Sequence, residues 1–360
     1  MKILYVITGL AQGGAERVVC DLADKMYEKG HNVKIAYLTG DILTQPVNNQ
    51  IEIVKVDLIN LFSFFNAYKK LSEVITGFQP DIVHAHMIHA NLLTRLVRIS
   101  TPIKKLICTA HSANEGGKIR MIAYRFTHYL SDLTTNVSDY ASKSFIQKKA
   151  VPKNGIFTVY NGIDFNNFKY DESAREKIEI ECKIDSSTHI LLAVGRFHEA
   201  KNYPNLLKAF KILKEKSSKS YCLLIAGDGE LRLQLEKLII ELNLEREVIL
   251  LGRRSDISKL MSACDIFILS SDYEGLPTVL IEALACQAHV VSTNVSGASE
   301  IIGKDFGKIV PIQDSDALAQ AIFEINLKNL PKNYNANIFV KNKFDLNMVS
   351  EKWINIYNEK

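Results

Sequence analysis

The sequence predicts an α/β protein made of two doubly wound domains that face a central cleft. Three observations carry that prediction. Short apolar runs alternate with amphipathic helical stretches along the 360 residues, the pattern of a parallel sheet covered by helices on both faces. The alternation is interrupted once, by the charged stretch "KYDESAREKIEIECKIDSST" at 169–188, and then restarts. The length allows two domains of ordinary size.

The elements follow in order. Strand candidates in the first half are "KILYVI", "NVKIAYL", "IEIVKV", "DIVHAH", "KLICTAH", "DLTTNVS" and "IFTVYNG". Between the first two, Ala15, Val18, Val19, Leu22, Ala23 and Met26 recur at the spacing of one helix face. The second half offers "HILLAVG", "YCLLIAG", "EVILLG", "DIFILS" and "AHVVSTN", separated by helical patterns. A boundary is expected near 165–185, with the turn signal Asn161-Gly162 as a hinge. Two such domains present their ligand sites at the carboxyl ends of the strands.

Composition narrows the partners. The chain is 47% hydrophobic and 23% charged, as in a soluble globular protein. Its net charge is +4, but residues 1–165 hold 19 Lys/Arg against 13 Asp/Glu, a net +6. That basic half points to a phosphorylated acceptor or an anionic membrane surface. No nucleic-acid-binding motif is present, so nucleic acid is not expected as a partner. Six scattered cysteines (20, 108, 182, 222, 264, 286), without C-x-x-C, read as reduced thiols in a cytoplasmic protein. No apolar run approaches the length of a membrane span. The start, "MKILYVITGLAQGGAE", reads as a buried strand entering a glycine loop rather than a signal peptide.

The chemistry concentrates in loops after strands. "LLAVGRFHEAKNYPNLLKAF" places Arg196 and Lys201 beside Gly195. Two cations there can neutralise a diphosphate; a solvated loop is the plain alternative. Gly227 and Gly229 form a bare G-x-G, equally a nucleotide loop or a tight turn. "DYEGLPTVLIEALA" sets Glu274 before a helix and Glu282 inside it, eight positions on. Pro277 suits the first helical turn. Gly275 permits close backbone approach, and the N–H groups near Thr278 and Val279 form a phosphate seat.

Taken together, "VGR....K", "EGLPTVLIEA" and "GGAERV" resemble the GT-B glycosyltransferases of family 4 (group 1). "PDIVHAH", "TAHSANEG" and "VYNGID" extend the match over nearly the whole chain. The resemblance implies two Rossmann-like domains, 1–165 for the acceptor and 166–340 for the nucleotide sugar. A last segment, 341–360, with Phe344, Met348, Trp353 and Tyr357, is similar to the family's helix that crosses back to the first domain. It implies a retaining transfer of a hexose or N-acetylhexosamine from a nucleotide-diphosphate sugar, UDP-linked, to a glycan or lipid-phosphate-linked acceptor. Bacterial surface polysaccharide or glycolipid synthesis would be the setting, on the inner face of the cell membrane. By the resemblance Arg196 and Lys201 hold the donor diphosphate, Glu274 the donor sugar and Glu282 the ribose. Gly195, Gly275, Leu276, Pro277, Thr278 and Val279 complete the donor site. Gly13 and Gly14 approach the diphosphate from the other domain, and His111 lies near the donor sugar. A sugar-nucleotide epimerase or hydrolase of the same fold, or a non-catalytic nucleotide-sugar-binding subunit, are the alternatives.

Some features depart from the pattern or invite other readings. The usual A-x-G-x-P-V-V is "ACQAHVV", with Gln287 and His289 replacing Gly and Pro, which is expected to change the turn after the Glu282 helix. His84, His86 and His89 suit a strand end lining a cleft better than a zinc site. Asp314-Ser315-Asp316 is expected to cap a helix. No metal or other cofactor is expected to be required. "LFSFFNAYKKL" at 61–71 joins aromatic residues to Lys69 and Lys70, either on a membrane surface or as a core-facing helix.

Overall fold

The computed structural model describes residues 1–11, 13–327 and 331–359. The chain divides into two compact units, residues 1–164 with 344–360, and residues 165–343. Each has its own parallel, Rossmann-like sheet.

In the first unit the strands are β1 (Lys2–Gly9), β2 (Asn32–Thr39), β3 (Glu52–Lys55), β4 (Ile82–His86), β5 (Leu106–Ala110), β6 (Leu133–Asn136) and β7 (Phe157–Thr158). Among the described residues they pair in parallel in the order β3-β2-β1-β4-β5-β6-β7. The crossover helices are α1 (Gly14–Glu28), α2 (Phe64–Phe78), α3 (Ile88–Val97), α4 (Lys118–Thr127) and α5 (Asp139–Gln147). The α1 stripe Val18, Val19, Leu22, Ala23 and Met26 is buried as its spacing requires. The helix then stops at Gly30, whose φ of +81° closes the turn. Strands β4 and β5 are buried over their full length, as central strands covered on both faces must be.

The second unit contains α6 (Ala174–Cys182), β8 (His189–Val194), α7 (Tyr203–Lys216), β9 (Tyr221–Ala226), α8 (Arg232–Glu241), β10 (Val248–Gly252), α9 (Ile257–Ala263), β11 (Ile266–Leu269), α10 (Thr278–Ala285), β12 (His289–Thr293), α11 (Ala298–Ile302), β13 (Gly307–Val310), α12 (Ser315–Leu327) and α13 (Tyr334–Phe344). Its sheet order is β10-β9-β8-β11-β12-β13. Phe197, Phe210, Leu206, Leu213, Leu318 and Ile322 are fully buried in its core. Each such side chain contributes about 1.5–3 kcal/mol through removal from water. Strand β13 escapes sequence reading, because "GKIV" is short and opens on Gly and Lys.

The last helix, α14 (Leu346–Asn358), belongs to the first unit and packs along α1. Trp353 and Tyr357 enter the core around Tyr5, Ile7 and Ile107. Ile163 N donates to the Phe344 carbonyl at 2.9 Å, and Leu346 N donates to the Ile163 carbonyl at 3.0 Å. The outgoing and returning passes of the chain are thus zipped together. Asn161-Gly162, expected as a hinge, lies beside this pairing. Asn161 is buried, and a Cβ on Gly162 would lie 2.7 Å from Leu346 Cα.

Candidate functional site

In the second unit the predicted residues gather at the carboxyl ends of β8 and β11. Lys201 folds back over Gly195, where a Cβ would come within 3.0 Å of Lys201 Cε. Lys201 Nζ then donates to Glu274 Oε1 at 2.6 Å. The Ser271 hydroxyl donates to the same oxygen at 2.7 Å. Only 21% of the Lys201 side chain and 16% of that of Glu274 are exposed. Ser271, invisible as a site residue in the sequence, fixes the carboxylate from below. Arg196 makes a different contact: its Nη2 donates to Glu230 Oε2 at 3.1 Å, and the side chain is 60% exposed. It is therefore an exposed surface cation, whereas Lys201 is partly buried against Glu274.

The bare G-x-G proves to be a packing device. A Cβ on Gly227 would lie 1.9 Å from the Gly195 carbonyl oxygen, and one on Gly229 would lie 2.5 Å from the Phe197 oxygen. The two glycines let the loop after β9 rest directly on the loop after β8.

Helix α10 starts at Thr278, with Pro277 at the N-cap rather than inside the first turn. The first N–H groups of a helix have no intrahelical acceptor, so those of Thr278 and Val279, both half-buried, remain available to an anion. Behind them, Ser296 Oγ donates to the Gly275 carbonyl at 2.9 Å, and Leu276 is buried. Glu282 lies half-buried in the second turn. The turn that follows, where Gln287 stands in place of the usual glycine, closes on the helix. Gln287 N donates to the Leu284 carbonyl and Ala288 N to that of Ala283, each at 3.0 Å. This is an ordinary helix C-terminus, except that Gln287 carries the φ of +62° that glycine would adopt freely. His289 instead reaches the Pro331 carbonyl, 2.9 Å from Nε2. Asp314 Oδ1 accepts from Ala317 N at 2.8 Å, so this aspartate caps α12.

In the first unit, α1 opens at Gly13-Gly14, with Gly13 at the N-cap. Glu16 curls back over this end. A Cβ on Gly13 would lie 2.4 Å from Glu16 Oε2, and burial raises the Glu16 carboxyl above its usual range. The proposed diphosphate seat is thus covered by the protein's own carboxylate, a neighbour the motif reading overlooked.

His111 follows β5 directly. Its Nε2 lies 3.0 Å from Nδ1 of His86, the last residue of β4. His84, two residues earlier on the same face, has Nδ1 2.8 Å from the Tyr357 hydroxyl and Nε2 2.7 Å from Thr109 Oγ1. Burial holds His111 down at about 4 and pushes His84 and His86 well below the usual histidine range. On its other side, His111 N donates to Glu115 Oε1 at 2.8 Å, and the Tyr124 hydroxyl donates to Oε2 at 2.7 Å. Burial raises the Glu115 carboxyl to about 7. His89 is exposed, away from the buried pair. Among the described residues, no cluster of three or more His, Cys, Asp or Glu is arranged to hold a metal ion.

The segment around α2 and the helix α4 of the first unit expose several large apolar side chains. The 61–71 segment divides: Ala67 and Leu71 enter the core, while Phe62 and Phe65 are 96% and 81% exposed. Lys70 pairs with Asp57 at 2.7 Å, and Lys69 points outward. On α4 the buried face is Met121 and Tyr124. Ile119, Ile122 and Phe126, continued by Tyr129, line the opposite, exposed face, flanked by exposed Lys118 and Arg125. Among the described residues no helix is long and apolar enough to cross a membrane.

Residues 12–167 match the family model Glycosyltransferase Family 4, and residues 174–339 match Glycosyl transferases group 1. An uncharacterised glycosyltransferase of Methanocaldococcus jannaschii is 30% identical over 302 residues, 79% of this chain and 73% of its own. The chain belongs to the group 1 glycosyltransferases of family 4. A second relative of this glycosyltransferase is the N-acetylgalactosamine-N,N'-diacetylbacillosaminyl-diphospho-undecaprenol 4-alpha-N-acetylgalactosaminyltransferase of Campylobacter jejuni. The two are 29% identical over 344 residues, 89% of each chain. Among solved structures, Anabaena HepE in complex with UDP aligns with a TM-score of 0.85 at 20% identity over 99% of both chains. That likeness establishes the fold, GT-B.

Proposed function

We propose that this glycosyltransferase moves a hexose or N-acetylhexosamine, with retention of configuration, from a UDP-sugar to a lipid-diphosphate-linked glycan in bacterial surface polysaccharide or glycolipid synthesis. The observation that carries the reading is the Lys201–Glu274 pair, fixed by Ser271 at the strand ends beside the α10 N-terminus. The Campylobacter relative's named substrate, a diphospho-undecaprenol glycan, supports the acceptor class. HepE, whose structure contains UDP, supports the base.

In this reading Lys201 and the first N–H groups of α10 receive the donor diphosphate, and Arg196 exchanges Glu230 for it. Their positive charge stabilises the phosphate oxygen as the bond to the sugar's anomeric carbon breaks. Glu274 holds the sugar hydroxyls and Glu282 the ribose diol. The acceptor hydroxyl attacks the oxocarbenium-like carbon from the face the diphosphate leaves. Its proton passes to the departing diphosphate. No metal enters any step. His111 contacts the donor sugar, and Gly13 and Gly14 approach the diphosphate once Glu16 has swung aside.

The exposed apolar residues of α2 and α4, with their basic flanks, support peripheral binding to an anionic membrane, where a lipid-linked acceptor resides. The function is tested by incubating the protein with UDP-sugars and an undecaprenyl-diphosphate glycan, then determining the anomeric configuration of the product by NMR. An α-linked product from an α-linked donor is expected. An inverted product would overturn retention, and hydrolysis without transfer would favour a hydrolase.

A further inference from the structure

We infer that His86 is a positioning residue that holds His111 in its Nδ1–H tautomer, so that His111 meets the donor sugar as a hydrogen-bond donor and not as a base. The inference rests on the proposed placement of His111 beside that sugar.

The argument begins with a single proton. His86 Nδ1 and His111 Nε2 are 3.0 Å apart, and burial keeps both rings neutral. One nitrogen of the pair therefore donates and the other accepts. The choice is made at the far side of His86. Its Nε2 is buried and finds no partner among the described residues. A buried N–H without an acceptor is rarer than a buried acceptor without a donor. The proton of His86 accordingly sits on Nδ1 and is donated to His111.

Water does not reverse this choice. The cavity beside His86 has a volume of only about 10 Å³, at the lower limit for one molecule. Its walls are mostly apolar, with Val18, Leu22, Val159, Leu346, Val349 and Trp353. Thr109 Oγ1, a polar group on the wall, is already engaged by His84 and Thr135. Asn161 also lines the cavity, but a space at the lower limit for one molecule does not favour a held water.

The His86 ring is also locked. His84 lies against it, with ring centroids 4.0 Å apart, and both nitrogens of His84 are themselves hydrogen-bonded. The next residue, Met87, has φ +71° and ψ 160°. That conformation is nearly restricted to glycine and persists only where the surroundings impose it. It turns the chain immediately after His86 while Met87 N still donates to the Thr109 carbonyl at 3.0 Å. With Nε2 of His111 consumed, its Nδ1 carries the remaining hydrogen. Among the described residues that atom has no hydrogen-bond partner, and it is not fully enclosed. A sugar hydroxyl or ring oxygen is the acceptor it suits.

The test is long-range ¹H–¹⁵N NMR of the full-length, donor-free protein labelled at histidine, with His111→Gln identifying the His111 signals. The expected spectrum shows a protonated Nδ1 and a bare Nε2 on His111 near neutral pH. His86→Leu removes the donor to His111 Nε2, should shift the ¹⁵N signal of that bare nitrogen toward its non-hydrogen-bonded position, and should lower kcat/KM by roughly 5- to 10-fold, the worth of one hydrogen bond. His86→Asn, whose amide can occupy the Nδ1 position as a donor, should restore both. An Nε2–H His111 in the wild-type protein overturns the inference, and that spectrum decides the matter even if His86→Leu fails to fold. Unchanged donor affinity and rate in His111→Gln would instead refute the placement beside the sugar. The wild-type tautomer signal distinguishes that failure from failure of the inference.

Discussion

Lys201→Ala separates a structural ion pair from a donor contact. In the intact protein Glu274 Oε1 accepts from Lys201 Nζ at 2.6 Å and from Ser271 Oγ at 2.7 Å. The substitution leaves the carboxylate with Ser271 alone among the described residues. A charge-assisted hydrogen bond contributes about 1.5–3 kcal/mol when its partner stays buried. Here 16% of the Glu274 side chain already meets solvent, so water replaces part of the loss, and a destabilisation of about 1–2 kcal/mol is expected. The effect on the donor is separate. Losing one cation at a diphosphate costs a further ~1.5–3 kcal/mol, a dissociation constant weaker by roughly 10- to 150-fold. Denaturant melts measure the first quantity, and titration calorimetry with UDP and UDP-sugars the second. Glu274→Gln is the companion variant. It keeps an acceptor for Lys201 and should lose less stability, but weaken sugar-nucleotide binding more than UDP binding. A destabilised Lys201→Ala protein with wild-type donor affinity and turnover would show that the lysine only braces the loop.

Stability should fall as pH drops through the histidine range, because His84, His86 and His111 bind protons in the unfolded chain below about 6.5 but not in the fold. Glu115 opposes them, binding its proton in the fold up to about 7. The cluster's net slope near pH 5.5 is then about two protons, or ~2.5 kcal/mol per pH unit. Glu115→Gln should steepen it by about one proton in denaturant melts across a pH series, and an unchanged slope would contradict the assignment. Gln287→Gly should stabilise the second unit by up to about 1 kcal/mol, since glycine adopts a φ of +62° without the side-chain penalty; a lower melting midpoint would refute this. Phe62→Ser with Phe65→Ser, and separately Ile119→Ser with Phe126→Ser, should weaken co-sedimentation with anionic vesicles without altering UDP affinity. Wild-type binding to neutral and anionic vesicles alike would exclude the electrostatic part.

What the sequence determined by itself is what local spacing can encode. The alternation of apolar runs with 3.6-residue periodicity requires helices packed on parallel strands. Gly275 and Pro277 mark a bend before α10 because only a few backbone angles suit them. Arg196, Lys201 and Glu274 stand out in the sequence because loops at carboxyl strand ends collect such residues, and Glu282 because its helix is otherwise apolar. Asp314 was legible as a cap for the same local reason. The tertiary structure alone decided which of these meet. Lys201 and Glu274 are 73 positions apart, and no periodicity says that the lysine will fold over Gly195 while Arg196 turns outward to Glu230. Gly227 is glycine because a different strand's carbonyl lies where its Cβ would be, which no pattern within its own loop reveals. His86 and His111 end neighbouring strands, so their contact depends on parallel register between β4 and β5. Phe62 and Phe65 share a motif with Leu71, yet only the packing of α2 on its sheet separates the outward pair from the buried residue. Pairing across distance, burial and tautomer depend on close packing, and packing exists only once the chain has folded.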